Sequence, residues 1–182
     1  MLIGSKIQLR TARAGELDQL YRYETNLPTR GAYFPWDLES EPAFRKSFED
    51  GGWWEEESGW LLIVEPDDTI VGYIGFFHTR KGEHWTSYEL YYGLYEPDRA
   101  GRGYVTEAVQ LFTDHLFDTR PITRIQLHIH PDNLASQRIA EKCGFTYEGT
   151  ARGVFYMHGA PQDLRVYSIL PGDPRSRPMT VS

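Results

Sequence analysis

The chain has 182 residues, 40% of them hydrophobic and 14% aromatic, which is enough for one well-buried core and short for two. A formal net charge of −7 argues against a nucleic-acid surface, which needs a basic footprint, and fits a basic or amine-bearing ligand. No apolar run reaches the roughly 18 residues that span a bilayer, the opening MLIGSKIQLR is too short in its apolar part for a signal peptide, and one cysteine, Cys143, cannot make an internal disulfide. The expectation is a soluble cytosolic protein with a single domain over 1–170 and a flexible tail over 171–182.

Ile7, Leu9 and Thr11 alternate with Gln8 and Arg10, the pattern of a strand with one buried face. From Ala14 to Glu24, Leu17, Leu20 and Tyr21 recur at helical spacing. Pro28, Gly31 and Pro35 then stand among Tyr33, Phe34 and Trp36, so Asn26 to Glu39 cannot be a continuous helix. Ser40 caps a second helix with Pro42 in its first turn and Phe44 and Phe48 turned inward, and Gly51-Gly52 ends it. Gly59 to Glu65 and Thr69 to Thr79 read as a hairpin around Pro66-Asp67-Asp68. A turn over Arg80 to Glu83 leads into a third strand, Tyr88 to Tyr95.

Past Gly103 a helix puts Val105, Ala108, Val109, Leu111, Phe112 and Leu116 on one side, with Glu107, Gln110 and Asp114 more exposed. In Arg124 to His130, Ile125, Leu127 and Ile129 face one way and Gln126, His128 and His130 the other. Asn133 begins a last helix that ends at Cys143-Gly144, and Thr146 to Tyr156 with Asp163 to Leu170 forms a closing hairpin. The succession predicts a mixed α/β sheet with helices on both faces. Two histidines on one strand face do not make a zinc site, and no cysteine or third histidine lies at ligand spacing, so no metal is expected.

The chain is organised around Tyr88 to Phe112: a strand, a Pro-Asp break, two glycines one residue apart, then a helix. The first N–H groups of a helix lack internal partners and carry the positive end of the peptide dipoles. Gly101 and Gly103 have no Cβ, so a pyrophosphate can approach the backbone, and Arg99 and Arg102 add charge. Gly101-Arg102-Gly103-Tyr104-Val105-Thr106-Glu107-Ala108 resembles the acyl-CoA pyrophosphate loop of the GNAT acetyltransferase superfamily, in the form of its RimJ/RimL-like branch. Asn133-Leu134-Ala135-Ser136, Glu141-Lys142-Cys143-Gly144-Phe145 and Glu148-Gly149 match the same family downstream. One departure is Asp98, where the family often has Gln or Arg; it is expected to face away from the phosphate.

The resemblance implies a mostly antiparallel sheet with a splayed strand pair, and direct attack of a primary amine on the thioester of acetyl-CoA, the co-substrate. The amine could be a peptide N-terminus, a small amine or an amine-bearing antibiotic. Backbone groups of Tyr92, Gly93, Leu94 and Tyr95 would pair with the pantetheine arm, and the amides from Gly101 to Val105 with the Thr106 hydroxyl would hold the pyrophosphate. A backbone N–H near Leu94 would face the oxyanion. Asn133 is read either as a ligand of the pantetheine arm or as a helix cap, and Ser136 either as the proton donor to the thiolate or as a solvated residue. The family's tyrosine in this helix is replaced by Ala140. Glu89 and Tyr91 are candidates for the base, or structural. Dimers are common among proteins that this one resembles, and no nucleic-acid or membrane partner is implied. Two other readings compete: a non-catalytic acyl-CoA-binding module, and a dinucleotide oxidoreductase, which would lack its third glycine because Thr106 stands there.

Overall fold

In the computed structural model, which describes residues 1–27, 30–34, 37–79 and 86–175, eight strands hydrogen-bond into one sheet. They are β1 (Leu2–Ile3), β2 (Gln8–Arg10), β3 (Ser58–Val64), β4 (Ile70–His78), β5 (Ser87–Leu94), β6 (Arg124–Ile129), β7 (Thr146–Met157) and β8 (Ala160–Ile169). Their order is β1-β2-β3-β4-β5-β6-β8-β7, and only β5 and β6 run parallel. That pair needs a long crossover, which the helix between them supplies. The four helices are α1 (Leu17–Thr25), α2 (Glu41–Gly51), α3 (Tyr104–Thr119) and α4 (Leu134–Lys142).

Two apolar clusters lie on the two faces of the sheet. One joins Val105, Ala108, Val109 and Phe112 of α3 and Ala140 of α4 to Ile74, Phe76, Tyr88, Leu90, Ile125 and Leu127. The other joins Leu17 and Leu20 of α1 and Phe44 of α2 to Leu62, Val64, Ile70 and Tyr95. The anticipated cap of α2 is present: the Ser40 hydroxyl accepts the Ala43 N–H, Pro42 occupies the first turn, and Gly52 ends the helix at φ 62°. The hairpins and the mixed sheet are as the sequence pattern predicts, and the mostly antiparallel pairing is as the resemblance implies. Among the described residues, no helix is long and apolar enough to cross a membrane.

Two polar residues depart from the expected pattern. Arg10 belongs to the exposed parity of its strand, yet only 6% of it is accessible. Its guanidinium donates to Glu16 at 2.6 Å and to Asp68 at 2.8 Å, so a strand, the start of α1 and the β3–β4 turn share one cation. Glu107 is also buried, at 7% exposure, where the helix pattern puts it outside. Its carboxylate accepts from Ser5 N and Oγ at 2.5 and 2.7 Å and from Lys6 N at 3.0 Å. It therefore fastens the β1–β2 hairpin to the first turn of α3. β1 itself is two residues long and leaves no periodicity to read.

The reading expects a flexible tail from residue 171. Up to 175 the chain turns at Asp173, whose carboxylate accepts the Leu170 N–H at 2.9 Å, and Arg175 pairs with Asp114 at 3.1 Å. Residues 176–182, like the turn expected at 80–83, the breakers Pro28 and Pro35 and the aromatic Trp36, lie outside the described residues.

One ion pair across the far end of the sheet makes the fold pH-sensitive. Arg124 grips both oxygens of Glu148 at 2.6 Å, and Ser168 donates to the same carboxylate at 2.7 Å. The Arg124 hydrogen bonds, with help from Ser168, hold the Glu148 carboxyl down at about 2. A carboxyl that ionises lower when folded than when unfolded, where glutamate titrates near ~4.3, adds stability above that value and loses it as pH falls toward ~2. Glu148→Gln should therefore flatten the decline of melting temperature between about pH 5 and pH 2. Scanning calorimetry of both proteins across that range is the measurement.

Candidate active site

Strands β5 and β6 pair over three positions, Ser87↔Arg124, Tyr88↔Ile125 and Glu89↔Gln126, and then part. Beyond Glu89, β5 stays on β4 as far as Gly72↔Leu94, while β6 follows β8 as far as Ile129↔Arg165. The Thr86 carbonyl serves the β6 side, accepting from Thr123, whereas the Tyr95 N–H serves the β4 side, donating to Val71. Alternation along a strand then turns the N–H and C=O of Tyr92 and Leu94 into the fork. These are main-chain groups without a strand to pair with, on two of the residues expected to meet a pantetheine arm. Gly93 and Tyr95 have the opposite parity and are committed to β4. Gly93 is required for another reason: a Cβ there would lie 2.8 Å from the Tyr73 hydroxyl, whose ring crosses it.

At the mouth of α3, Gly101 and Gly103 have φ of +79° and +84°, a backbone region in which L side chains are strained. Gly103 caps the helix and its carbonyl takes the first helical bond, from Glu107, leaving the N–H groups of Tyr104, Val105 and Thr106 without intrahelical acceptors. A hollow at this mouth is lined by Ala100, Gly101, Gly103, Tyr104, Val105 and Thr106. Across it stand Arg138 and Lys142, one turn apart on α4, which sequence reasoning missed although their spacing places both on one helix face. Lys6 was missed too; its Nζ donates to the Arg102 carbonyl at 3.1 Å. Arg99 borders the hollow but is paired with Glu65 at 3.0 Å and Glu96 at 3.3 Å, and Arg102 points to solvent. The positive charge at the loop is supplied more by α4 than by the two arginines of the loop itself. Asp98 is exposed on a 3-10 turn, away from the hollow.

On the α1–α2 face of the fork, Glu89 Oε2 meets His128 Nδ1 at 2.8 Å and Gln126 Nε2 at 3.2 Å. A carboxylate on one ring nitrogen orients the imidazole and leaves the other nitrogen free for a proton. The shared face of Gln126 and His128 was legible in the sequence, but their meeting with Glu89 was not. Tyr91 stands beside them, and burial pushes its hydroxyl up to about 12, so it is a phenol at neutral pH. Farther along this face Glu24 is half-buried among Tyr23, Tyr73 and Tyr95; its partial burial raises its pKa, and Arg30 at 4.0 Å and the Tyr95 hydroxyl at 3.3 Å only partly offset that.

On the α3–α4 face lie Asn133 and Ser136, and both border the cavities that meet at the fork. Asn133 caps α4 with its Oδ1 accepting the Ser136 N–H at 3.1 Å, which leaves the amide NH2 for another partner. Cys143 is buried at the end of this helix; burial raises its thiol to about 12, so it is packing and not a nucleophile.

Comparison with known proteins agrees with this architecture. Residues 6–146 match the model of the acetyltransferase (GNAT) domain. The probable N-acetyltransferase YjcK of Bacillus subtilis is 33% identical over 119 residues, 65% of this chain and 65% of its own length. The spermidine N(1)-acetyltransferase of Vibrio cholerae is 20% identical over 172 residues, 92% of this chain and 95% of its own. A crystal structure of the Vibrio cholerae spermidine enzyme with CoA and spermine superposes with a TM-score of 0.77, covering 91% of this chain and 96% of that one at 20% identity. A GNAT-family acetyltransferase structure from Bacillus anthracis gives 0.76, with 93% and 97% covered at 22% identity. With its sheet, its fork and its glycine loop in place, the chain belongs to the GNAT acetyltransferase family.

Proposed function

We propose that this protein is an acetyl-CoA-dependent N-acetyltransferase that acts on a cationic primary amine. The observation that carries the reading is the alignment of two backbone sites: the unpaired helix mouth at Tyr104 to Thr106 and the unpaired strand edge at Tyr92 and Leu94, joined by the cavity that runs past Asn133 and Ser136. One end suits a pyrophosphate and the other an amide-bearing arm. Arg138 and Lys142 complete the phosphate end, and acetyl-CoA supplies the activated acyl group.

Amine and thioester held in attack geometry account for the largest share of the rate, about 7–11 kcal/mol. The Leu94 N–H faces the charge that develops on the carbonyl oxygen. An alkylammonium costs about 4–5 kcal/mol to neutralise at pH 7, which calls for a base. Glu89 and His128 form that base as a pair, with Glu89 orienting the ring and His128 taking the proton. Ser136, across the fork, faces the departing thiolate. The acceptor side is lined by Glu24 with its partner Arg30, by Glu39 and by the rings of Phe34, Trp53, Trp60 and Tyr73, a surface of carboxylates and rings that would offer an ammonium ion Glu39 and the aromatic faces, in keeping with the spermidine-acting relatives.

Release of free thiol from acetyl-CoA across a panel of amines tests the reading, with polyamines expected among the best acceptors. Thiol release with none of them, despite tight acetyl-CoA binding, would replace it with a non-catalytic binding module. Gly103→Asp should abolish acetyl-CoA binding in a titration calorimeter while circular dichroism remains native, because strain at φ +84° and a carboxylate at the phosphate act together. Full affinity in that variant would remove the loop from the argument. His128→Asn should lower kcat about a hundredfold at neutral pH and recover as pH approaches the pKa of the amine, where no base is needed. A pH-independent deficit would make His128 structural.

A further inference from the structure

Tyr92 carries a hydroxyl that is sealed from solvent and has no hydrogen-bond partner among the described residues. The Ser136 hydroxyl lies close enough to act on its ionisation as a hydrogen-bonding neighbour, yet the two make no bond of ordinary geometry. An unmet buried hydroxyl is destabilising, and phenylalanine would fill the same space without it. The ring stands on the α3–α4 face, among residues that pack on the larger core, and the cavities on both sides of the fork border it together with Asn133 and Ser136. Ala140 of α4 and Cys143 just past its end are buried in the same core cluster against which the ring packs. Glu89 and His128 occupy the opposite face. The fork thus separates a proton-accepting pair from a pair of hydroxyl donors.

We propose that the Tyr92 hydroxyl donates a hydrogen bond to the sulfur that departs when the thioester is cleaved, stabilising it as a thiolate. The proposal rests on the acetyl-CoA reading above. In the transfer, His128 first takes the ammonium proton and passes it to solvent, the freed amine lone pair forms the N–C bond, the C–S bond breaks with its electron pair remaining on sulfur, and the second proton from nitrogen passes to His128. The thiolate takes a proton from water as it leaves. Tyr92 keeps its own proton, because burial holds its hydroxyl well above the usual phenol range and a thiolate is the weaker base. It acts as a fixed donor on the leaving group and not as an acid, with Ser136 next to it as the second hydroxyl.

Tyr92→Phe tests this with three readouts. Its melting temperature should equal or exceed that of the wild type, since only an unmet polar group is lost. In the complex with CoA, a titration followed by the ultraviolet absorbance of the thiolate should show the bound thiol ionising about one pH unit higher than in the wild type, a tenfold weaker stabilisation. Turnover should fall at least about tenfold with the KM for acetyl-CoA unchanged. Unchanged ionisation of bound CoA would overturn the proposal and leave the acetyl-CoA reading intact. A lower melting temperature with loss of CoA binding would make the hydroxyl a structural element and overturn it equally. Failure of the wild type to bind CoA would overturn both.

Discussion

The constraint on which the molecule depends is the failure of β5 and β6 to remain paired. Each has a stronger commitment elsewhere: β5 to β4 over seven positions and β6 to β8 over five, against three between themselves. The sheet is in effect two antiparallel halves stitched by a short parallel seam. Where the seam ends, main-chain donors and acceptors that a folded protein would ordinarily satisfy are left turned toward a gap. Such groups are costly to bury and are satisfied by solvent or by a ligand that mimics a strand. The fork is therefore the place in the sheet where a strand-like ligand would find main-chain partners.

Packing of aromatic rings on glycines keeps the fork in shape. Tyr73 crosses Gly93 and Tyr91 crosses Gly75, each ring lying where its cross-strand partner has no side chain, and a Cβ at Gly75 would sit 2.3 Å from the Tyr91 ring. The rings lock β4 to β5 just where β5 is about to lose its other neighbour. The same arrangement lays out the polar chemistry by strand parity. Odd residues of β5 put Glu89 and Tyr91 with His128 on one face, and even residues put Tyr92 with Ser136 on the other. The carboxylate–imidazole pair and the two hydroxyls are thereby kept apart by the thickness of one strand.

Much of this was legible before any coordinates. The glycine pair, the cap at Ser40 and the alternation of Ile125, Leu127 and Ile129 are local signals, and local signals survive in sequence. What escaped was every feature set by long-range partners. Glu107 looked exposed because helical periodicity cannot show that the chain's own start, at Ser5 and Lys6, folds back onto it. Arg10 looked exposed because its two carboxylates lie 6 and 58 residues away. Arg99 and Arg102 looked like phosphate ligands on proximity alone, whereas Glu65 claims one of them. Arg138 and Lys142, which come from a different helix, line the same hollow as the glycine loop. Glu89 with His128 likewise required knowing that two strands 39 residues apart in sequence are neighbours.

The lone cysteine has a practical consequence. Cys143 is walled into the core with its thiol proton held far above neutrality, and its Sγ donates to the Thr106 carbonyl at 3.5 Å. The folded chain is thus mute toward disulfide reagents and alkylators. In a reaction mixture a colour change with such a reagent therefore reports a thiol other than the folded protein's own, and disulfide formation finds no exposed cysteine by which to switch the chain off.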